Sequence, residues 1–102
     1  MSGSVAVPVL PEVVSEPSSA SNPELDPGYL VVCWDDPINL MDFVTHVFQV
    51  VFNWSKAKAE KHMLEVHHHG KSVLVRESLE RAEHYVHQLQ GYGLHATLEH
   101  HA

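Results

Sequence analysis

Five of the six prolines, and none of the six lysines and arginines, fall within residues 1 to 28. The same segment carries Glu12, Glu16, Glu24 and Asp26 between short apolar and serine-rich stretches. Such a stretch buries too little apolar surface to offset the entropy of ordering it. It is expected to be a disordered acidic tail, which leaves residues 29 to 102 of the 102-residue chain to build a core. Domains of roughly 55–65 residues can fold alone, so that length suffices for one core and not for two.

The formal net charge is −7, from 13 acids against 6 bases with ten histidines taken as neutral. An acidic balance disfavours nucleic acid as a partner. The histidines make this charge sensitive to mild acid. No apolar run approaches the roughly 20 residues of a membrane span, so no membrane is expected as a partner. The absence of Lys or Arg before the weak Val/Pro run of residues 1 to 10 is unlike a signal peptide, and the expected location is cytoplasmic. The single cysteine, Cys33, cannot staple a secreted domain and reads as a small packed hydrophobe.

Tyr29 to Trp34 is rich in β-branched and aromatic residues and stops at Asp35-Asp36-Pro37, which predicts a strand followed by a turn. Asn39 is the expected N-cap of a first helix, with Asp42 three residues on. Met41, Val44, Val47, Phe48 and Val51 form its inward stripe to about Phe52. Ser55 is the next expected cap. Ala59, Met63 and Val66 mark a second helix that carries His67, His68 and His69 in its last turn and stops before Gly70. Ser72 to Val75 reads as a strand. Ser78 opens a third helix through about Gln90, with Leu79, Ala82, Tyr85, Val86 and Leu89 inward, and Gly91 and Gly93 end it. Leu94, Ala96 and Leu98 alternate with polar neighbours in a last strand. The order βααβαβ predicts an α+β domain, a three-stranded antiparallel sheet covered on one face by three helices.

No enzymatic pattern emerges. Successive helical residues diverge by about 100°, so His67, His68 and His69 cannot all face one ion. No cysteine pair, His-Glu-x-x-His pattern or acidic calcium loop is present to complete a metal site. There is no Gly-x-Ser-x-Gly elbow and no phosphate-binding glycine loop, and Cys33 lies in an expected strand. The expectation is a non-enzymatic protein without metal or other cofactor.

Two segments carry more information: Trp34-Asp35-Asp36-Pro37-Ile38-Asn39-Leu40-Met41-Asp42-Phe43-Val44, and His62-Met63-Leu64-Glu65-Val66-His67-His68-His69-Gly70-Lys71. Together they resemble the ClpS family, bacterial adaptors that deliver N-end-rule substrates to a Clp AAA+ unfoldase and its peptidase. The likeness runs from about Tyr29 to Glu99, and the helix end preceding a β-α-β tail is its more specific part. The family also carries a flexible N-terminal extension, so the resemblance divides the chain into a tail at 1–28 and an adaptor core at 29–102.

The resemblance implies a pocket for the first residue of a substrate. Asp35, Asp36 and His67 would hold its α-amino group. Asn39, Leu40, Met41, Val44, Val47, Met63 and Val66 would surround its bulky side chain, with Leu, Phe, Tyr and Trp as the accepted residues. An α-ammonium offers three donors and one positive charge, so carboxylates suit it, and a neutral imidazole nitrogen can accept as well. Met41 resembles the family's gatekeeper, whose thioether crowds β-branched first residues. The chain departs from the family at Asp35, where Asn is common, and Pro37 adds a fixed φ to the rim. Glu80 corresponds to a glutamate of the unfoldase-binding surface, and Tyr85 replaces the lysine that accompanies it. The implied partners are the N-domain of a ClpA- or ClpC-type unfoldase and N-degron substrate proteins. A different reading of the same surface is a regulatory subunit that modulates the unfoldase's substrate choice through Glu80 without reading N-termini.

Overall fold

The computed structural model describes residues 27–101. The expected tail at 1–28 lies outside them except for Pro27 and Gly28. Gly28 is buried, and its carbonyl accepts from the backbone N–H of His101 at 2.7 Å. The elements are β1 (Tyr29–Trp34), α1 (Met41–Phe52), α2 (Lys56–His69), β2 (Lys71–Glu77), α3 (Leu79–Gly91) and β3 (Ala96–His100). The expected βααβαβ order is observed.

The sheet is antiparallel with strand order β2-β1-β3, so the first strand is central. Its β-branched residues explain this place, since a central strand is paired on both edges and half of its side chains enter the core. Val31 and Cys33 join Val47, Phe48, Ala59, Met63, Val66, Ala82, Val86 and Leu89 from the three helices in one buried cluster. The helices therefore cover one face of the sheet. Between Val31↔Val75 and Val32↔Val73 the register skips Leu74, so β2 carries one extra residue, a bulge, whose side chain is buried. β2 spans seven residues, against the four expected at Ser72 to Val75.

Local chemistry accounts for both ends of α2. The Ser55 hydroxyl accepts from the N–H of Lys58, and Gly70 closes α2 with φ 87° while its N–H returns to the Val66 carbonyl. A left-handed residue at that position is cheap only for glycine. Two expected caps differ. α1 begins at Met41 with Leu40 as its cap residue and no side-chain capping bond, because the Asn39 side chain is turned toward Gly93 instead. Ser78 holds the cap position of α3, but its hydroxyl makes no capping bond. Thr45 rather than Met41 turns inward from α1, and Met41 is 46% exposed. Leu94 is buried but precedes β3, just after the turn at Tyr92 and Gly93.

An aromatic cluster joins the helices: Phe52 stacks on Trp54 with centroids 4.6 Å apart, and Tyr85 of α3 leans on Phe52 at 4.8 Å. Trp54 also stacks on His62 of α2 at 4.6 Å. The Ser72 hydroxyl of β2 donates to Glu65 at 2.6 Å and stands 2.9 Å from His62 Nδ1. Because the serine proton goes to the carboxylate, the imidazole must be the donor in the second contact. Burial holds the His62 pKa below its ordinary value, and the opposing pull of Glu65 does not outweigh it.

That shift has a sign in stability. A histidine that is harder to protonate in the folded chain than in the unfolded one contributes stability above its ordinary titration range. This contribution is lost as pH falls through the lowered folded value. The urea midpoint should therefore drop between pH 7.5 and pH 5.5, and the drop should be smaller in His62→Gln. Equal drops in the two proteins would show that His62 is not the group responsible.

Candidate functional site

The end of β1 is held from both sides. The N–H of Trp34 donates to the His95 carbonyl at 2.8 Å, on the β3 side, and the N–H of Asp35 donates to the Gly70 carbonyl at 2.9 Å, on the β2 side. These two bonds place Asp35 beside the end of α2, which carries His67, and place His95 across from it. Sequence spacing alone does not determine either neighbour.

The loop from Asp35 to Leu40 is shaped by one carboxylate. Asp36 Oδ1 accepts from the Ile38 N–H at 2.9 Å, and its Oδ2 accepts from Asn39 Nδ2 at 3.5 Å. This is the local side-chain turn that aspartate favours. Asn39 Nδ2 also donates to the Gly93 carbonyl at 3.0 Å, which ties the loop to the turn before β3. The Asp35 side chain is exposed and takes no part in this bonding. The two adjacent carboxylates thus differ in availability.

Between this loop, α2 and the start of β3 lies a pocket of about 380 Å³. Its volume falls in the range of small-ligand sites. Cys33, Met63, Val66 and Leu94 are its buried lining, while Asp35, Met41, His67 and His95 are its exposed lining. Asp36, Pro37, Asn39, Leu40 and Val44 complete the side that belongs to the loop and α1, beside Trp34. The result is an apolar hollow with two carboxylates and two imidazoles around it.

Of the residues expected here, Asp35, Asp36, His67, Asn39, Leu40, Met41, Val44, Met63 and Val66 are all brought to this pocket. Val47 is not. It is fully buried in the core one turn further along α1, where it packs with the other helices rather than facing the hollow. Cys33, Trp34, Leu94 and His95 also line it, beyond the residues expected from sequence. The alternation of Leu94 with His95 marked them only as strand residues, and nothing in it indicated that they meet the end of β1.

Burial pushes the Cys33 thiol up to about 12, and the carboxylates of Asp36 and Asp35 add to the effect. The sulfur is therefore a protonated, apolar part of the lining and not a nucleophile. The Trp34 indole N–H is used by Thr97 Oγ1 at 2.8 Å, and the Lys71 ammonium stands 5.0 Å from the ring centroid. Beside the loop, Ile38 and Leu40 are 85% and 76% exposed, an unusual display of aliphatic surface. Among the described residues, no group of three or more His, Cys, Asp or Glu is placed to hold a metal ion, and the His67 and His68 rings are 5.2 Å apart in an edge contact.

Glu80 and Tyr85 lie together elsewhere, along one side of α3, where with Arg81 and His84 they line a shallow groove of about 430 Å³. Arg81 donates to Glu77 at 3.1 Å and to the Tyr85 hydroxyl at 3.2 Å. Among the described residues, no helix is long and apolar enough to cross a membrane.

Comparison with known proteins gives concordant findings. The family described as ATP-dependent Clp protease adaptor protein ClpS matches residues 24–97. A protein of Rhodococcus jostii named ATP-dependent Clp protease adapter protein ClpS is 40% identical over 99 residues, covering 93% of this chain and 87% of its own length. The protein of the same name from Nocardia farcinica is 47% identical over 74 residues, covering 72% of this chain and 70% of its own. Among solved structures, that of Agrobacterium tumefaciens ClpS2 bound to L-phenylalaninamide is similar with a TM-score of 0.66 and 27% identity. That match covers 71% of this chain and 94% of the other.

Proposed function

The chain belongs to the ClpS family of ATP-dependent Clp protease adaptor proteins, and from that membership we propose that its pocket binds the first residue of proteins with Leu, Phe, Tyr or Trp at the N-terminus. The observation that carries this reading is the juxtaposition of an apolar hollow with Asp35, Asp36 and His67. A free N-terminal residue with a large side chain joins the same two chemistries, a cation with three donors and a hydrophobe, through one carbon atom. The phenylalaninamide bound to the Agrobacterium protein has this chemistry and supports the reading.

The roles follow from the bonding of the loop. Asp36 spends its carboxylate oxygens on Ile38 and Asn39, so it shapes the rim and adds negative charge. Asp35 is the carboxylate available to the ammonium, and His67 accepts through an unprotonated nitrogen at the carbonyl end of α2, where a cation is favoured. Met63, Val66 and Leu94 surround the side chain. Met41 stands at the first turn of α1 and crowds any branch at Cβ. The bound protein is then delivered to a ClpA- or ClpC-type unfoldase, whose N-domain docks at the α3 surface of Glu80 and Tyr85.

Fluorescence anisotropy with peptides that differ only in their first residue tests the reading. Full burial of a large apolar side chain is worth roughly 1.5–3 kcal/mol. Leu, Phe, Tyr and Trp are therefore expected to bind roughly 10- to 100-fold more tightly than Ala. Val and Ile should fall below Leu because of Met41. Equal affinity across first residues would overturn the proposal and favour a subunit that regulates the unfoldase without reading N-termini.

A further inference from the structure

We infer that His95 is a further recognition residue, whose imidazole donates a hydrogen bond to the first carbonyl oxygen of the bound N-terminus. The inference rests on the reading of the pocket given above and adds a specificity to it: the ligand must be an amino-acyl group and not merely an amine with a hydrophobic tail.

Hydrogen-bond donors are scarce in this pocket. A bound N-terminal residue presents an ammonium, which only donates, and one carbon further along a carbonyl, which only accepts. The carboxylate of Asp35, with the negative charge of Asp36 behind it, serves the first, and neither carboxylate can serve the second. The other polar side chains of the pocket are largely committed. Trp34 Nε1 donates to Thr97, and the Asn39 amide donates to Gly93 and Asp36. The backbone N–H groups of Trp34, Asp35, Ile38 and Asn39 are taken by His95, Gly70 and Asp36. Among the nitrogen-bearing side chains lining the pocket, the imidazoles of His67 and His95 remain.

Topology separates those two. β1 lies between β2 and β3. His67 lies in the last turn of α2 on the β2 side, near the Asp35 that is anchored to Gly70, and the carbonyl end of a helix favours a cation there. His95 stands on the β3 side, its own carbonyl fixed by the Trp34 N–H and its ring 6.2 Å from the indole at 31°. The ammonium belongs with Asp35 and His67. The carbonyl then falls to the opposite wall, where His95 can donate whether its ring is neutral or charged.

Calorimetric titration of the full chain with phenylalaninamide and phenethylamine tests this, because the two share ring and amine and differ in the amide group. The readout is the ratio of their affinities, compared between the native protein and His95→Leu, so that intrinsic differences between the ligands cancel. One neutral hydrogen bond corresponds to roughly a 3- to 10-fold change. The ratio should contract by that factor in His95→Leu and recover in His95→Gln, with circular dichroism checking that both variants fold. If phenylalaninamide binds and the ratio is the same in all three proteins, His95 is not the donor and the carbonyl is met by backbone N–H groups. If phenylalaninamide does not bind the native protein, the reading of the pocket itself fails and this inference fails with it.

Discussion

Acetylating the α-amine of a peptide that begins with Leu is expected to weaken its binding by roughly 30-fold or more. The modification removes the positive charge and two of the three N–H donors while leaving the leucine side chain unchanged. Asp35 then faces a neutral amide instead of a cation, and the negative charge that Asp36 adds to the rim loses its counterpart. Removing one member of a closely held, hydrogen-bonded charge pair costs roughly 2–5 kcal/mol, because the remaining charge is left without compensation. That range corresponds to factors of about 30 to several thousand. Competition against a labelled Leu peptide measures it directly, and equal competition by the acetylated peptide would remove ammonium recognition from the account. The same experiment on Asp35→Asn should show a smaller penalty, since the amide there attracts the ammonium less strongly.

The largest effect on stability is expected from Phe48→Ala. Phe48 is fully buried in α1, and its ring meets Trp54 edge-on at 6.1 Å. Replacing a buried phenylalanine with alanine removes its transfer energy and leaves a cavity, together costing roughly 3–5 kcal/mol. A domain of this size has a total stability of only about 4–11 kcal/mol. The variant should therefore lose from about a quarter of its stability to all of it, seen as a large fall in the urea midpoint. A loss below about 1 kcal/mol would mean that the helices repack around the gap. Met41→Ala, at the same helix but half exposed, is expected to cost much less stability while changing the pocket's choice of first residue.

These two sites show how far the residues could be read in order along the chain. Strand and helix types were legible because the period of two in Ala96-Leu98 and the helical spacing of Ala59, Met63 and Val66 are local properties of the backbone geometry, although Leu94, expected in the same strand, precedes it. The ends of α2 were legible for the same reason, since Ser55 and Gly70 act within one turn of their own positions. Asn39 was not. Its residue type suits a cap, but a carbonyl at Gly93, 54 residues away, competes for its amide and leaves Leu40 at the helix start.

The pocket divides along the same line. Asp35, Asp36 and His67 were indicated only through the resemblance of their two segments to the ClpS family. That Asp36 is occupied by its own turn and Asp35 is free depends on where Ile38 and Asn39 point. Val47 has the spacing of a pocket residue and is core, because one further turn of α1 carries it past the hollow and against α2 and α3. Leu94 and His95 reach the site only because β3 pairs with β1. Residue order alone thus specified the elements, their caps at α2 and the chemical character of the loop, all of which arise from interactions a few residues long. Which groups share the hollow, and which of two adjacent carboxylates is left available, was decided by strand order and packing, since hydrogen bonds between distant segments have no signature in local spacing.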